Sequence, residues 1–201
     1  MTRMRILGRS TSINARKVLW TADLIGIDYE QEVWGLPLRD PHEPEFLALN
    51  PKAMVPVIVD DGFVLWESNA IMRYLAETRR SGLLPVEPRE RALVDQWLTW
   101  QATELNPPWG YAVYALLRKN PAFTDASRIA ESIVKWSAAM QILEAQLAKG
   151  DGFAVNGRMS LADIALALSA HRWFSTPFER PELPAVGAHY AAMQATPEGV
   201  K

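Results

Sequence analysis

Ser12, the pair Val55-Pro56 and the pair Glu67-Ser68 are the residues whose types and places in this chain point to chemistry. Each stands where an element begins: Ser12 ahead of the first helical pattern, Val55-Pro56 at the entry to an apolar run, and Glu67-Ser68 at the start of another helix. Helix amino termini carry unsatisfied N–H groups and a partial positive charge, so an anion settles there without a dedicated cation. The first helix is suited in this way to a thiolate and the later one to a carboxylate. The chain contains no cysteine, which excludes a disulfide, a Cys-ligated zinc or iron–sulfur cluster and a cysteine nucleophile. Any sulfur chemistry must use a borrowed thiol.

Other catalytic classes find no support. There is no Gly-x-Ser-x-Gly elbow, Walker loop, Gly-x-Gly-x-x-Gly or His-Glu-x-x-His. His42, His171 and His189 are scattered, so no metal site is expected and each histidine reads as a surface or hydrogen-bonded one. With 21 basic and 23 acidic side chains the net charge is −2, too balanced for a polyphosphate-binding surface, and a nucleic-acid partner is not expected. The first twelve residues carry Arg3, Arg5 and Arg9 and lack the apolar stretch of a signal peptide. No later run approaches the ~18 apolar residues of a membrane span. A cytoplasmic protein without a membrane partner is expected.

The elements that must position these residues follow from periodicity and punctuation. Residues 4–7 form a short apolar run ended by Gly8, and Val18, Leu19, Ala22 and Ile25 recur at helical spacing before Gly26. Residues 29–33 predict a second strand, followed by an irregular stretch marked by Gly35, Pro37, Pro41 and Pro44. Residues 55–59 and 63–66 flank Asp60-Asp61-Gly62, a cluster that favours positive φ and joins two antiparallel strands. Ile71, Tyr74, Leu75 and Thr78 then share one helical face. Residues 1–80 therefore read βαβ, linker, ββα, an arrangement in which the turns at Ser12, Val55-Pro56 and Glu67-Ser68 face one another.

Gly82, Pro85 and Pro88 make 81–88 a linker, and residues 89–201 read as an all-helical domain. Leu93, Trp97, Trp100 and Glu104 follow helical spacing until Asn106-Pro107-Pro108, which is expected to break or kink the helix. Ile129, Ile133, Trp136, Met140, Leu143 and Leu147 form a clean stripe, read as the core face of a long helix. Ser160-Leu161-Ala162-Asp163 has the spacing of a capping box with an acid in the last place, and reads as a folding element. The fold class is thus α/β plus all-α, with a helical bundle in second place.

Four segments resemble the glutathione transferase family, in its serine-using, theta-like bacterial form, and they occur in family order. They are Leu7-Gly8-Arg9-Ser10-Thr11-Ser12-Ile13-Asn14-Ala15-Arg16-Lys17-Val18-Leu19-Trp20, Leu49-Asn50-Pro51-Lys52-Ala53-Met54-Val55-Pro56-Val57, Leu65-Trp66-Glu67-Ser68-Asn69-Ala70-Ile71-Met72-Arg73-Tyr74-Leu75, and the capping box at 160–163. The resemblance covers nearly the whole chain. It implies a thioredoxin-like domain followed by a helical one, glutathione as co-substrate without a metal, and a homodimer with a C2 contact between one subunit's first domain and the other's second.

The resemblance also assigns roles. Ser12 would donate its hydroxyl to the glutathione sulfur and favour the thiolate of a group whose free pKa lies near ~8.5. Capping of the first helix by Ser12, Ser10, Thr11 or Asn14 is the competing reading, and Asn14 would shape the loop or donate a second hydrogen bond. Val55-Pro56 resembles the family's cis-proline turn, whose valine backbone pairs with the cysteinyl unit as an added strand would. Ser68 would take the γ-glutamyl carboxylate and Glu67 the α-ammonium. Ala53-Met54 departs from the Gly-Lys of many relatives, so the cation for the glycyl carboxylate must come from Lys52, His42 or Arg39, or be absent. The second substrate, an apolar electrophile, is expected between the domains against Trp109, Tyr111 and Tyr114, with core or dimer surface as the alternative for each of these three and His171-Arg172-Trp173-Phe174 as further lining. Peroxidase, isomerase and dehalogenase chemistry on the same scaffold, and a non-catalytic interaction module, remain the rival functions.

Overall fold

The structure, a computed structural model, describes residues 3–196. The chain divides into two compact units between Leu84 and Pro85.

The first unit is a four-stranded sheet with helices on both faces. β1 (Met4–Leu7), β2 (Tyr29–Glu32), β3 (Val57–Asp60) and β4 (Phe63–Trp66) lie in the order β2-β1-β3-β4. β1 runs parallel to β2 and antiparallel to β3, and β3 pairs antiparallel with β4. The parallel pair requires a crossover, which is α1 (Ile13–Leu24). The β3–β4 hairpin turns at Asp61 and Gly62, both at positive φ (45° and 87°), as a tight two-residue hairpin demands. α3 (Ser68–Thr78) follows β4 directly.

Side chains alternate across the sheet and so feed two cores. Met4, Ile6 and Ile58 pack with Val18, Leu19 and Ala22 of α1 and Ile71 and Leu75 of α3. Leu7 and Val57 point the other way, to Trp34 and Phe46, the latter carried by α2 (Pro44–Leu47), a short helix that the irregular 33–50 stretch did not announce. This βαβ–ββα order with helices on both faces is the thioredoxin-like arrangement.

The second unit is helical: α4 (Pro88–Trp100), α5 (Asn106–Ala112), α6 (Ala126–Leu147), α7 (Leu161–Ser175) and α8 (Pro184–Gln194). The helix is not interrupted at Asn106-Pro107-Pro108, where a break or kink is expected. The chain runs from α4 through a π-helical turn at Gln101–Leu105 into α5, and a second π-helical turn follows at Val113–Leu117. The wider turn accommodates the two missing proline N–H groups, with Asn106 N–H reaching back to Gln101 O. Two side chains support it. Gln101 Nε2 donates to Asn106 Oδ1 (3.0 Å) and Ser169 Oγ (2.8 Å). Ser132 of α6 takes a place in the α5 ladder, its Oγ donating to Pro108 O (2.6 Å) and accepting from Ala112 N–H (3.1 Å).

The buried face of α4 is Val94, Trp97 and Leu98 rather than one that includes Leu93, which is 42% exposed. On α6 the buried positions are Ser132, Trp136, Ala139, Met140, Leu143 and Leu147, with Ile129 and Ile133 half-buried.

Candidate functional site

The loop between β1 and α1 is set by Gly8. A Cβ there would lie 2.9 Å from Ala15 Cβ and 3.6 Å from Val55 Cβ, so glycine lets this loop sit against both α1 and the 50–56 loop. Ser12 is the N-cap of α1 with extended backbone (φ −85°, ψ 119°). Its Oγ accepts from Ala15 N–H at 3.4 Å, and its hydroxyl hydrogen has no acceptor among the described residues. Capping uses an oxygen lone pair and donation to a ligand uses the hydrogen, so the two readings of Ser12 are compatible.

Asn50, which is buried, shapes the second loop: Nδ2 donates to Met54 O (2.8 Å), and Oδ1 accepts from Lys52 N–H (3.1 Å). Ala53 stands at φ 52° where glycine would rest more easily, and the Val55–Pro56 peptide bond is cis. The β1–β3 ladder begins at Val57, so Val55 lies just outside it.

The third contribution is the start of α3. Glu67, its N-cap, has φ 74° and ψ 111° and makes no side-chain capping bond. A non-glycine residue held there costs on the order of 1–3 kcal/mol, and such residues cluster at ligand sites. The first-turn N–H groups beside Ser68 are therefore not capped by the side chain that precedes them. Lys17 of α1 approaches the same turn. Its ammonium, almost wholly buried, donates to Asn69 Oδ1 at 3.1 Å. Burial lowers its pKa to about 7, and the charge of Glu67 opposes that shift.

These segments enclose a cavity of about 130 Å³ lined by Asn14, Asn50, Lys52, Met54, Val55, Pro56, Glu67 and Ser68. The structure thus gathers six of the residues singled out in the sequence: Asn14, Lys52, Val55, Pro56, Glu67 and Ser68. Ser12 lies two residues from the lining. Of the three candidate cations, Lys52 lines the cavity and has no ion-pair partner among the described residues. His42 is outside the lining, its Nδ1 2.9 Å from Asp40 Oδ1. Arg39 is engaged by Glu43 (3.2 Å) and Glu45 and lies 3.6 Å over the Trp34 ring.

Residues 11–78 match the family described as glutathione S-transferase, N-terminal domain. Glutathione S-transferase GstB of Escherichia coli (strain K12) is 33% identical over 193 residues, which cover 87% of this chain and 92% of that protein. The chain belongs to the glutathione S-transferase family. Among solved transferases, the theta class enzyme of Xanthomonas axonopodis pv. citri with glutathione bound superposes with a TM-score of 0.93 at 36% identity, covering 98% of this chain and 95% of that one. The glutathione S-transferase of Pseudomonas fluorescens superposes with a TM-score of 0.88 at 29% identity over 100% and 98% of the two chains.

In this transferase the aromatic candidates Tyr111 and Tyr114 of the second unit both pack against Phe123, with Tyr111 edge-on at 5.0 Å between centroids. Trp109 Nε1 donates to Asn106 Oδ1 (3.1 Å), and Tyr114 stacks on Phe123 with centroids 4.7 Å apart. Tyr111 accepts from Asp125 N–H (3.2 Å) and lines a groove of about 410 Å³ that also includes Glu104, Arg128 and Lys135. Trp173 is core, fully buried edge-on against Trp136 and Phe178, so it is not available as lining. His171 Nδ1 lies 2.7 Å from Tyr190 Oη. Among the described residues no group of three or more His, Cys, Asp or Glu is placed to hold a metal ion, and no helix is long and apolar enough to cross a membrane.

Two residues of the site were not singled out in the sequence. Asn50 belongs to a quoted motif but had no assigned role, and its neighbour Pro51 was its only signal. Lys17 lies in a helix whose pattern gives no sign that a lysine is buried.

Proposed function

We propose that this transferase binds glutathione in the cavity at the start of α3, activates its sulfur as a thiolate and adds it to an apolar electrophile. The observation that carries the reading is the uncapped Glu67-Ser68 helix start opposite the cis Val55-Pro56 turn in one cavity. Ser68 and the first N–H groups of α3 take the γ-glutamyl carboxylate, and Glu67 takes the α-ammonium. The Val55 backbone, outside the ladder, pairs with the cysteinyl unit. Lys52 meets the glycyl carboxylate, with His42 the next cation along the chain. That the Xanthomonas relative was solved with glutathione bound supports this occupant.

The sulfur lies toward Ser12 and Asn14. The Ser12 hydroxyl donates to it and the α1 amino terminus adds its field, so the S–H proton leaves to solvent at neutral pH. The thiolate then forms a carbon–sulfur bond while the electrophile's leaving group departs with its electron pair, or an activated double bond accepts the pair. Trp109, Tyr111 and Tyr114 are assigned to the electrophile. Peroxidase, isomerase and dehalogenase chemistries share the same thiolate, and substrate profiling separates them.

The transferase is further read as a cytoplasmic homodimer. Exposed Phe63 (48%) on the first unit and Leu93 (42%), Val134 (67%) and Ile142 (54%) on the second are apolar side chains that a second copy would cover. The mechanism is tested by Ser12→Ala. The conjugation rate is expected to fall by roughly 10- to 100-fold, with glutathione affinity nearly unchanged and the thiol pKa, read by ultraviolet titration of the complex, moving back toward ~8.5. An unchanged rate removes Ser12 from the mechanism.

A further inference from the structure

We propose that Lys17 is a positioning residue for the γ-glutamyl end of glutathione, its ammonium holding Asn69 and balancing Glu67 so that binding at the start of α3 tightens when this buried lysine carries a proton. The inference rests on the glutathione reading of the cavity and adds to it a titrating group behind the cavity wall.

The geometry is specific. Lys17 is 1% exposed, and its Nζ lies 3.1 Å from Oδ1 of Asn69, the second residue of α3. Glu67 and Ser68, the two residues before Asn69, line the cavity. Lys17 therefore reaches from α1 to the turn that would receive the ligand's carboxylate, without itself lining the cavity. The charged residues on the elements packed against α1 are Glu67, Arg73 and Glu77 around α3 and Arg5 on β1, and α1 itself carries Arg16 and Asp23. Arg5 is engaged by Glu32, and Asp23 accepts from Tyr29 Oη (2.8 Å). Glu67 is the one whose charge acts on Lys17.

A buried ammonium persists only with partners. Here they include an amide oxygen and a carboxylate that also belongs to the ligand's site. A ligand seated at the helix start adds a carboxylate at Ser68, next to Asn69, which favours the charged lysine, and an α-ammonium at Glu67, which opposes it; the carboxylate, one residue from the amide that Lys17 holds, sets the sign of the coupling. By linkage, a ligand that favours the proton on Lys17 raises the lysine's affinity for that proton, and the proton raises affinity for the ligand by the same factor. Burial brings the free lysine to about 7, so the effect falls near neutral pH. Affinity is then highest below pH 7 and declines as pH rises through the value for the free protein. His42, the histidine among the candidate cations, lies outside the lining, with its Nδ1 2.9 Å from Asp40 Oδ1.

The test uses S-methylglutathione, whose thioether does not titrate; its α-amino group titrates alike with wild type and Lys17→Met, so the difference between their pH profiles reports the lysine. Calorimetric titrations of the full chain from about pH 6 to 9 should show affinity falling by up to about tenfold, the change produced by a one-unit shift of one group's pKa. Runs in two buffers of different ionisation enthalpy should show proton uptake on binding near pH 7.5. Lys17→Met should bind across the range with the weaker affinity of the alkaline limit and take up no proton. In parallel, nuclear magnetic resonance of wild-type protein with labelled lysine Cε should show one lysine titrating near 7 that moves upward with ligand. A purely structural lysine would lower stability on substitution and leave the pH profile in place. An affinity independent of pH, the same dependence in Lys17→Met, or a lysine midpoint unmoved by ligand would overturn the proposal. Absence of binding at every pH would instead overturn the glutathione reading of the cavity, and this inference with it.

Discussion

At the start of α7 the carboxylate of Asp163 turns back onto its own helix, while at the start of α3 the carboxylate of Glu67 makes no capping bond. Asp163 is fully buried; it accepts from Ser160 N–H and Oγ and from Ala154 N–H, all at 2.8 Å, and lies 3.1 Å from His189 Nε2. Every acceptor site there is taken by the protein. The α3 start has a serine and an acid too, in the reverse order, with the acid at φ 74° and the serine beside a cavity. An acid three residues inside a helix closes the helix end, whereas an acid one residue before it, in a strained conformation, leaves the end open to a foreign carboxylate. Closure serves folding and openness serves binding.

Substitutions should separate the two starts. Asp163→Ala has the largest expected effect, a loss of about 3 kcal/mol of stability by denaturant titration, because it strands the Ser160 and Ala154 donors and His189 in the interior. Glutathione affinity per folded molecule should not change. Next is Lys17, whose folded-state pKa lies below its ordinary value. The unfolded chain binds a proton that the folded chain lacks between about 7 and 10.5, so stability attributable to this group rises with pH through that window and is lost as pH falls toward 7. Lys17→Met should flatten this part of the pH profile and raise stability at pH 7 by about 1–2 kcal/mol.

Ser68→Ala should do the reverse of Asp163→Ala, weakening glutathione binding about tenfold by calorimetry while stability stays within about 0.5 kcal/mol. Glu67→Gly comes last. Relief of the positive φ, partly offset by the added freedom of the unfolded chain, should raise stability by up to about 1 kcal/mol at pH 8. Ligand affinity should fall in the same variant. A Glu67→Gly protein that loses stability would show that the strained acid contributes to folding after all, and would erase the contrast with α7.

What the sequence made legible follows from how local each signal is. The turn at Asp61-Gly62, the capping box at Ser160 and Asp163, and the serine-bearing helix starts are each written within four residues, and their positions could be read directly. The passage of the chain through Pro107 and Pro108 could not. It depends on Gln101 reaching Ser169 and on Ser132 reaching Pro108, contacts across 68 and 24 positions. The burial of Lys17 is similar, since its partner Asn69 lies 52 residues away. Helical spacing placed Leu93 on the inner face of α4, but the packed face is centred on Val94 and Leu98, one step round the helix. Trp173 read as further lining of the pocket, and its edge-on contact with Trp136 shows it to be core instead.

The serine that α6 lends to α5 has a dynamic consequence. In an ordinary helix the amide of Ala112 would be shielded by a carbonyl four residues earlier on its own strand of chain. Here the Ser132 hydroxyl stands between that amide and Pro108 O. Exchange of the Ala112 amide hydrogen with solvent deuterium should therefore follow the parting of two helices rather than the fraying of one, making a single backbone position a clock for the opening of the helical unit.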